Sequence, residues 1–368
     1  MKALFLSVTA GQGHHQAGKA MMGALTRTGW QCEMIDTYEF ISPVIKESIS
    51  RGYLISTKYS PTLYGKVYRM AEKIDKNELT AHVTRFSNQI LTKKLIQHID
   101  AFDPDVIICT HVFSAQVVSD AKRKGHLQNI KTIAIVTDFT VHPFWEYTNI
   151  DYYITPHELL NIQMEKKGLP ISKVVPIGIP IAEKFKNSLP QQEARKILKI
   201  EDKPTLFIIS GSMGYGNMFK LIEKIDLLKT DFQILCVCGN NKRLYKTINE
   251  TISQKKIYNY AFVDNVNIMM DASDCVITKP GGLTTSEALA KRLPLILTKP
   301  IPGQEDRNTE FLVNNGVAVK ASKTFPIDEA IFEIMNSAKK RELMKNAAEY
   351  IGKPNSTSDF VKLVHSIC

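Results

Sequence analysis

The chain has 368 residues, 44% hydrophobic and 23% charged, with a formal net charge of +10 and a pI of about 9.1. This is the composition of a folded globular protein with room for two ordinary domains, not of a collagen-like or disordered chain. The positive excess favours an anionic partner, and with no DNA- or RNA-binding motif the expectation moves from nucleic acid to nucleotides and acidic membrane surfaces.

No apolar run approaches the ~20 residues needed to span a bilayer. Met1–Val8 lacks the basic start and small-residue cleavage site of a signal peptide, so the expected location is the cytoplasm. Six cysteines without a C-x-x-C pair suit buried free thiols better than a zinc or redox site.

In chain order, Lys2–Val8 is expected as a first strand, His14–Thr28 as a helix and Gln31–Asp36 as a second strand. Asp105–Cys109 and Thr132–Val136 are apolar runs bounded by polar turns, which suits central strands. The rhythm restarts after Ile177–Ile181 with Thr205–Ile209, Phe232–Val237, Tyr258–Val263, Cys275–Thr278 and Leu295–Leu297. Strands alternating with helical patterns predict parallel sheets covered on both faces. The expected fold class is therefore α/β, with two doubly wound, Rossmann-like domains facing a cleft. Residues 1–180 form the first domain and 181–350 the second. Residues 351–368 supply a last helix packing back on the first, and Gly178–Asn187 is the linker.

Such sheets bind ligands at the carboxyl ends of their strands, so the turns there carry the functional reading. Thr9–Ala20 reads T-A-G-Q-G-H-H-Q-A-G-K-A. Gly11 and Gly13 permit a tight turn and close approach of a ligand. His14 then falls in the first helical turn, where the helix dipole disfavours an imidazolium. A neutral imidazole accepts a proton, as a general base must; the plainer alternative is a helix cap or local packing. His15 points elsewhere on the helix. The loop is neither a Walker A nor a G-x-G-x-x-G.

Between Lys46 and Lys94 lie ten Lys/Arg and four Asp/Glu, with Tyr53, Tyr59, Tyr64 and Tyr68 interleaved among Arg51, Lys58, Lys66 and Arg69. Aromatic rings and cations together suit a membrane interface; a solvated helical face with core tyrosines is the alternative. After the strand Thr132–Val136, Asp138 is placed to orient His14 or polarise a hydroxyl. His142, Pro143 and Trp145 complete this acceptor-side segment, Trp145 as an apolar wall or, alternatively, as a core tryptophan.

Three glycines and two serines in Ser210–Asn217 precede a helix and suit a pyrophosphate cradle, with Ser210, Gly211, Ser212 and Gly214 as candidates. The strongest signal is Thr278–Leu289, T-K-P-G-G-L-T-T-S-E-A-L. Its turn, Pro280, Gly281, Gly282, Leu283 and Thr284, offers backbone N–H groups to a phosphate. Glu287, one turn further, suits ribose hydroxyls. Gln304 and Glu305, in P-G-Q-E, suit sugar hydroxyls.

Together these residues resemble the monogalactosyldiacylglycerol synthase and processive diacylglycerol glucosyltransferase family. These are GT-B enzymes related to the cell-wall N-acetylglucosaminyltransferase that acts on a lipid-linked precursor. The resemblance rests on G-x-G-H, V-T-D…H-x-x-W, G-I-P-I, T-K-P-G-G-L-T-x-S-E-A-L and P-G-Q-E in that order, across nearly the whole chain. It implies inverting transfer of a hexose from a UDP-sugar to a lipid hydroxyl, with diacylglycerol as the expected acceptor. On that resemblance His14 is the base, and Asp138, a catalytic candidate from its position, falls in the acceptor-side loop. Gly13 and the two glycine turns contact the donor diphosphate, and Phe262-Val263 supplies the backbone that reads uracil. Glu287 holds the ribose, and Gln304 with Glu305 the donor sugar. The acceptor side is His142, Pro143 and Trp145, with Tyr64, Tyr68 and Arg69 at the membrane. No cofactor and no metal ion are expected, on the reading that the chain has no Asp-x-Asp site for one. The protein is expected to sit peripherally on the inner face of the cell membrane. Transfer to a soluble or other lipid-linked acceptor, and a non-catalytic UDP-sugar sensor, are the alternatives.

Overall fold

The structure is a computed structural model and describes residues 1–9, 12–41, 89–209 and 218–368. The chain divides into two compact units. The first comprises Met1–Glu183, Ile301–Arg307 and Asn355–Cys368; the second comprises Lys184–Pro300 and Asn308–Pro354. The expected sites Tyr64, Tyr68, Arg69, Ser210, Gly211, Ser212 and Gly214 lie outside the described residues.

The first unit holds a parallel sheet of β1 (Lys2–Ser7), β2 (Gln31–Asp36), β3 (Val106–Cys109), β4 (Lys131–Ile135), β5 (Tyr152–Ile154) and β6 (Val174–Val175), in the order β2-β1-β3-β4-β5-β6. The second holds β7 (Thr205–Ile209), β8 (Gln233–Val237), β9 (Ile257–Tyr260), β10 (Cys275–Thr278), β11 (Leu295–Leu297) and β12 (Ala318–Lys320), also parallel, in the order β12-β11-β10-β7-β8-β9. Helices that bear on the candidate site or its core are α1 (Gln12–Arg27), α2 (Val112–Arg123), α3 (Gly282–Ala290), α4 (Gln304–Asn314) and α5 (Ser356–Ile367).

The central strands are continuous apolar runs because helices cover both faces of such sheets. Ala3–Leu6 and Val106–Cys109 are fully buried. Met21 and Leu25 of α1 and Phe360 and Val364 of α5 share one core with Phe5, Ile108 and Ile133. In the second unit Leu206, Ile208, Ile234, Cys236 and Ile277 meet Ile331 and Ile334.

Strand order places the sites. In a doubly wound sheet the crevice opens where the direction of winding reverses, outside the carboxyl ends of the two strands that flank that point. In the first unit those strands are β1 and β3, followed by the turn into α1 and by Thr110-His111. In the second they are β7 and β10, followed by residues 210–217 and by the turn into α3.

The structure departs from the expected elements in several places. Strands β5, β6 and β12 are two or three residues long, too short to leave a period-2 signature. Strand β9 ends at Tyr260, so Phe262 and Val263 follow the strand instead of ending it. The linker read at Gly178–Asn187 starts inside the first unit. Gly178 donates to the Thr155 carbonyl at 3.0 Å, and the Ile181 carbonyl accepts from the Thr357 hydroxyl at 2.5 Å. The units divide between Glu183 and Lys184.

Candidate active site

His14 stands in the first turn of α1, just past the carboxyl end of β1. Its Nδ1 lies 2.9 Å from the Thr110 carbonyl and 2.8 Å from the Thr137 hydroxyl. A carbonyl oxygen only accepts, so the ring proton sits on Nδ1 and the lone pair on Nε2. Nε2 makes no hydrogen bond among the described residues. This is the tautomer a general base requires, and it is set from outside the helix by residues that end β3 and follow β4. Burial lowers the His14 pKa to about 4, and the Thr110 hydrogen bond opposes that shift. The imidazole is neutral at physiological pH, as expected, but the larger cause is removal from water, not the helix dipole.

Close approach of α1 to Thr110 makes that hydrogen bond possible. Gly18 is one turn past His14 on the same face of α1. A Cβ at Gly18 would lie 2.9 Å from Met34 Cε and 3.3 Å from Thr110 Cγ2. The loop before α1 is anchored too: Asp36, ending β2, accepts from the Thr9 N–H at 3.0 Å and from the Thr9 hydroxyl.

Two more imidazoles lie nearby. His111 caps α2, its Nδ1 accepting from the Phe113 N–H at 3.1 Å. The His14 and His111 rings meet edge to face, centroids 4.7 Å apart and planes at 87°. His142 caps the short 3-10 turn Pro143–Tyr147 in the same way, accepting from Phe144 N–H at 3.1 Å. Burial, then the neighbouring His14 and His142, hold His111 well below the usual imidazole range. Burial, then Lys167 and Arg307, lower His142 to about 4.

In the second unit the turn after β10 leads into α3 with Gly281 as N-cap and no side-chain cap. The first N–H groups of a helix have no intrahelical acceptor, so those of Gly282, Leu283 and Thr284 are open to an anion, which the helix dipole also favours. Gly281 has φ −77°, which any residue adopts, and an added Cβ would meet nothing within 4 Å. Neither backbone nor packing demands glycine there; open space in front of the amides does suit a ligand. The Pro280 carbonyl accepts from Asn308 Nδ2 at 3.0 Å, which steadies the turn. On α3, Glu287 has no hydrogen-bond or salt-bridge partner among the described residues. Burial pushes its pKa up to about 8, with Lys184 opposing. A shielded carboxylate without a partner suits paired hydroxyl donors.

Both units match known proteins. The family model described as monogalactosyldiacylglycerol (MGDG) synthase matches residues 14–181, and that of glycosyl transferases group 1 matches residues 190–350. The processive diacylglycerol beta-glucosyltransferase of Bacillus pumilus (strain SAFR-032) is 29% identical over 349 residues, 94% of this chain and 89% of that protein. The first unit of this chain is thus similar to monogalactosyldiacylglycerol synthases and its second to group 1 glycosyl transferases. Among solved structures, MurG of Acinetobacter baumannii aligns with a TM-score of 0.62 at 14% identity over 99% of both chains. The calicheamicin glycosyltransferase CalG4 aligns with a TM-score of 0.65 at 12% identity, over 100% of this chain and 98% of that one. The fold is GT-B.

Several expected site residues are placed differently. Thr110 and Thr137 hold the His14 ring, and Asp138 Oδ2 accepts from Gln304 Nε2. Gln304 belongs to the short stretch Ile301–Arg307 grouped with the first unit. Glu305 Oε2 accepts from the Ile301 N–H at 2.6 Å, closing the turn before α4. Trp145 is 4% exposed and packs edge-on to Tyr153, so it is a core residue and no wall for a lipid. Pro143 is buried beside it as the first residue of the 3-10 turn. Phe262 is 62% exposed. Gly13 lies inside the first turn of α1, before His14.

The chain does contain one Asp-x-Asp spacing, Asp103-Pro104-Asp105. It precedes β3 and so stands at the amino edge of the sheet, opposite His14, and Asp105 Oδ2 accepts from the Lys2 N–H at 2.7 Å. Thr110, His111 and Thr137 carried no expected role. Their signal was available, since Thr110-His111 and Thr137 follow the strands β3 and β4 at the same carboxyl edge as His14.

Proposed function

We propose that the protein is an inverting glycosyltransferase that moves a hexose from a UDP-sugar to the hydroxyl of diacylglycerol in a membrane. The observation that carries the chemistry is the His14 tautomer: Nδ1–H is committed to Thr110 and Thr137, which leaves Nε2 to receive a proton. In the proposed step the acceptor hydroxyl gives its proton to His14 Nε2 while its oxygen bonds to the anomeric carbon. The bond from that carbon to the UDP oxygen breaks on the opposite face, and the configuration inverts. Charge growing on the departing diphosphate meets the amides of Gly282–Thr284 at the N-terminus of α3, with residues 210–217 as a second contact. Glu287 accepts from the ribose hydroxyls. The step assigns charge stabilisation to these amides and calls for no metal ion.

The relatives' name supports the acceptor: the Bacillus pumilus protein is a diacylglycerol beta-glucosyltransferase. No described helix is long and apolar enough to cross a membrane. A peripheral attachment through the basic, tyrosine-bearing stretch within Lys46–Lys94, on the inner face of the cell membrane, fits a lipid acceptor.

The test is purified protein with diacylglycerol vesicles and a panel of UDP-hexoses, products identified by mass. A hexosyl-diacylglycerol should form, and His14→Ala should lower turnover about 10²–10⁴-fold, the range for a positioned general base. UDP affinity should stay within about twofold, because His14 and α3 belong to different units. A full-rate His14→Ala protein would remove the base from the mechanism.

A further inference from the structure

The mechanism above gives His111 no task beyond capping a helix. That cap nevertheless decides where its proton is. Nδ1 accepts from the Phe113 N–H, so a neutral ring must carry its hydrogen on Nε2. His14 is the opposite case, with hydrogen on Nδ1 and the lone pair on Nε2. The two rings stand edge to face with centroids 4.7 Å apart, just beyond the ends of β1 and β3. Neither Nε2 has a hydrogen-bond partner among the described residues. One acceptor and one donor nitrogen are thus left open on adjoining rings, at the point where the fold puts its crevice.

A reacting hydroxyl satisfies only the acceptor. We propose that His111 is a specificity-determining residue whose Nε2–H donates to the oxygen on the carbon next to the reacting CH2OH. The His14–His111 pair then reads the unit HO–CH2–C–O and discriminates against a bare primary alcohol. The inference rests on the transfer reading above. Diacylglycerol has the required oxygen in its central ester. A hexosyl lipid has it as the ring oxygen beside its own primary hydroxyl, so one pair of imidazoles serves both as successive acceptors.

The experiment separates the donor nitrogen from the cap. His111→Asn keeps a side-chain oxygen able to cap α2, because asparagine is among the strongest N-caps, but places no N–H where Nε2 was. Wild type and variant are assayed in neutral micelles with diacylglycerol and with a branched, two-chain primary alcohol that has carbon in place of the neighbouring oxygen. Wild type should prefer diacylglycerol in kcat/KM by about tenfold, the size of one neutral hydrogen bond. In His111→Asn that preference should fall to within about twofold, with the KM for UDP-sugar and the unfolding midpoint unchanged. Equal loss on both acceptors, or a preference that survives the substitution, would overturn the proposal. So would a wild type that uses the two acceptors equally, a result that needs no variant. A wild type that binds UDP yet glycosylates neither acceptor would overturn the transfer reading, and this inference with it.

Discussion

At the scale of single residues, Glu287 makes the proposed ribose contact testable through its protonation. Burial raises its pKa to about 8, so without a ligand most of it is protonated at pH 7. On the proposed contact, ribose hydroxyls donate to the ionised form and favour it, so the complex would hold fewer protons than the free protein. Affinity must then rise with pH until the free carboxyl is ionised. Between pH 7 and 9, where most of the diphosphate is already in its fully ionised form, UDP should bind about tenfold more tightly at the upper end. Titration calorimetry in buffers of different ionisation enthalpy should record proton release over that interval. Glu287→Gln should bind more weakly and show no pH dependence. Wild-type affinity that stays flat from pH 7 to 9 would separate Glu287 from the ribose. The opposite shift at His14 has a different consequence. With a pKa of about 4, its imidazole is unprotonated at physiological pH and is ready to accept.

At the scale of elements, α1 matters for how closely it lies against the end of β3. Thr110 is bonded into that end, its N–H donating to Leu6 at 3.0 Å and its hydroxyl to Ser7 at 3.1 Å, so it does not yield easily. Gly18 lets the helix come near enough for His14 to reach it. An alanine there meets first the flexible end of Met34, which can move. A valine meets the Thr110 methyl as well. Gly18→Val should destabilise by about 1–3 kcal/mol through overpacking. It should also cut transfer at least about tenfold by lengthening the His14–Thr110 bond, because small misplacements of a base are costly. Gly18→Ala should do much less, and UDP affinity should not change in either. Wild-type turnover in Gly18→Val, measured below its unfolding temperature, would show that the register of α1 on β3 is not what holds the base.

For the whole molecule the governing quantity is a net charge of +10, with ten Lys/Arg against four Asp/Glu between Lys46 and Lys94. Each basic residue near an anionic bilayer contributes about 1 kcal/mol, within a screening length of about 10 Å at 0.1 M salt and about 3 Å at 1 M. Vesicle co-sedimentation should therefore increase with the fraction of anionic lipid and decline steeply as salt is raised. Attachment indifferent to salt would leave the charge of this stretch without a membrane role.

What the chain revealed by itself is what local patterning encodes. Apolar runs of strand length, the turn at Thr278–Gly281 and the helices α1 and α3 follow from neighbours a few residues apart, so the parallel α/β class and the strand–turn–helix around Thr278–Leu289 were legible. Strands β5, β6 and β12 were not, because two or three residues are shorter than a period; β11, equally short, stood out as a wholly apolar run. The arrangement around His14 was out of reach for another reason. Its tautomer depends on a carbonyl 96 residues away, and Asp138 finds Gln304 at a separation of 166. The Trp145 ring was equally compatible with a wall or a core until the fold enclosed it. Composition and periodicity select which elements form; only the packing of distant segments decides which nitrogen is left free, which carboxylate is left unpaired and which ring is shut away from solvent.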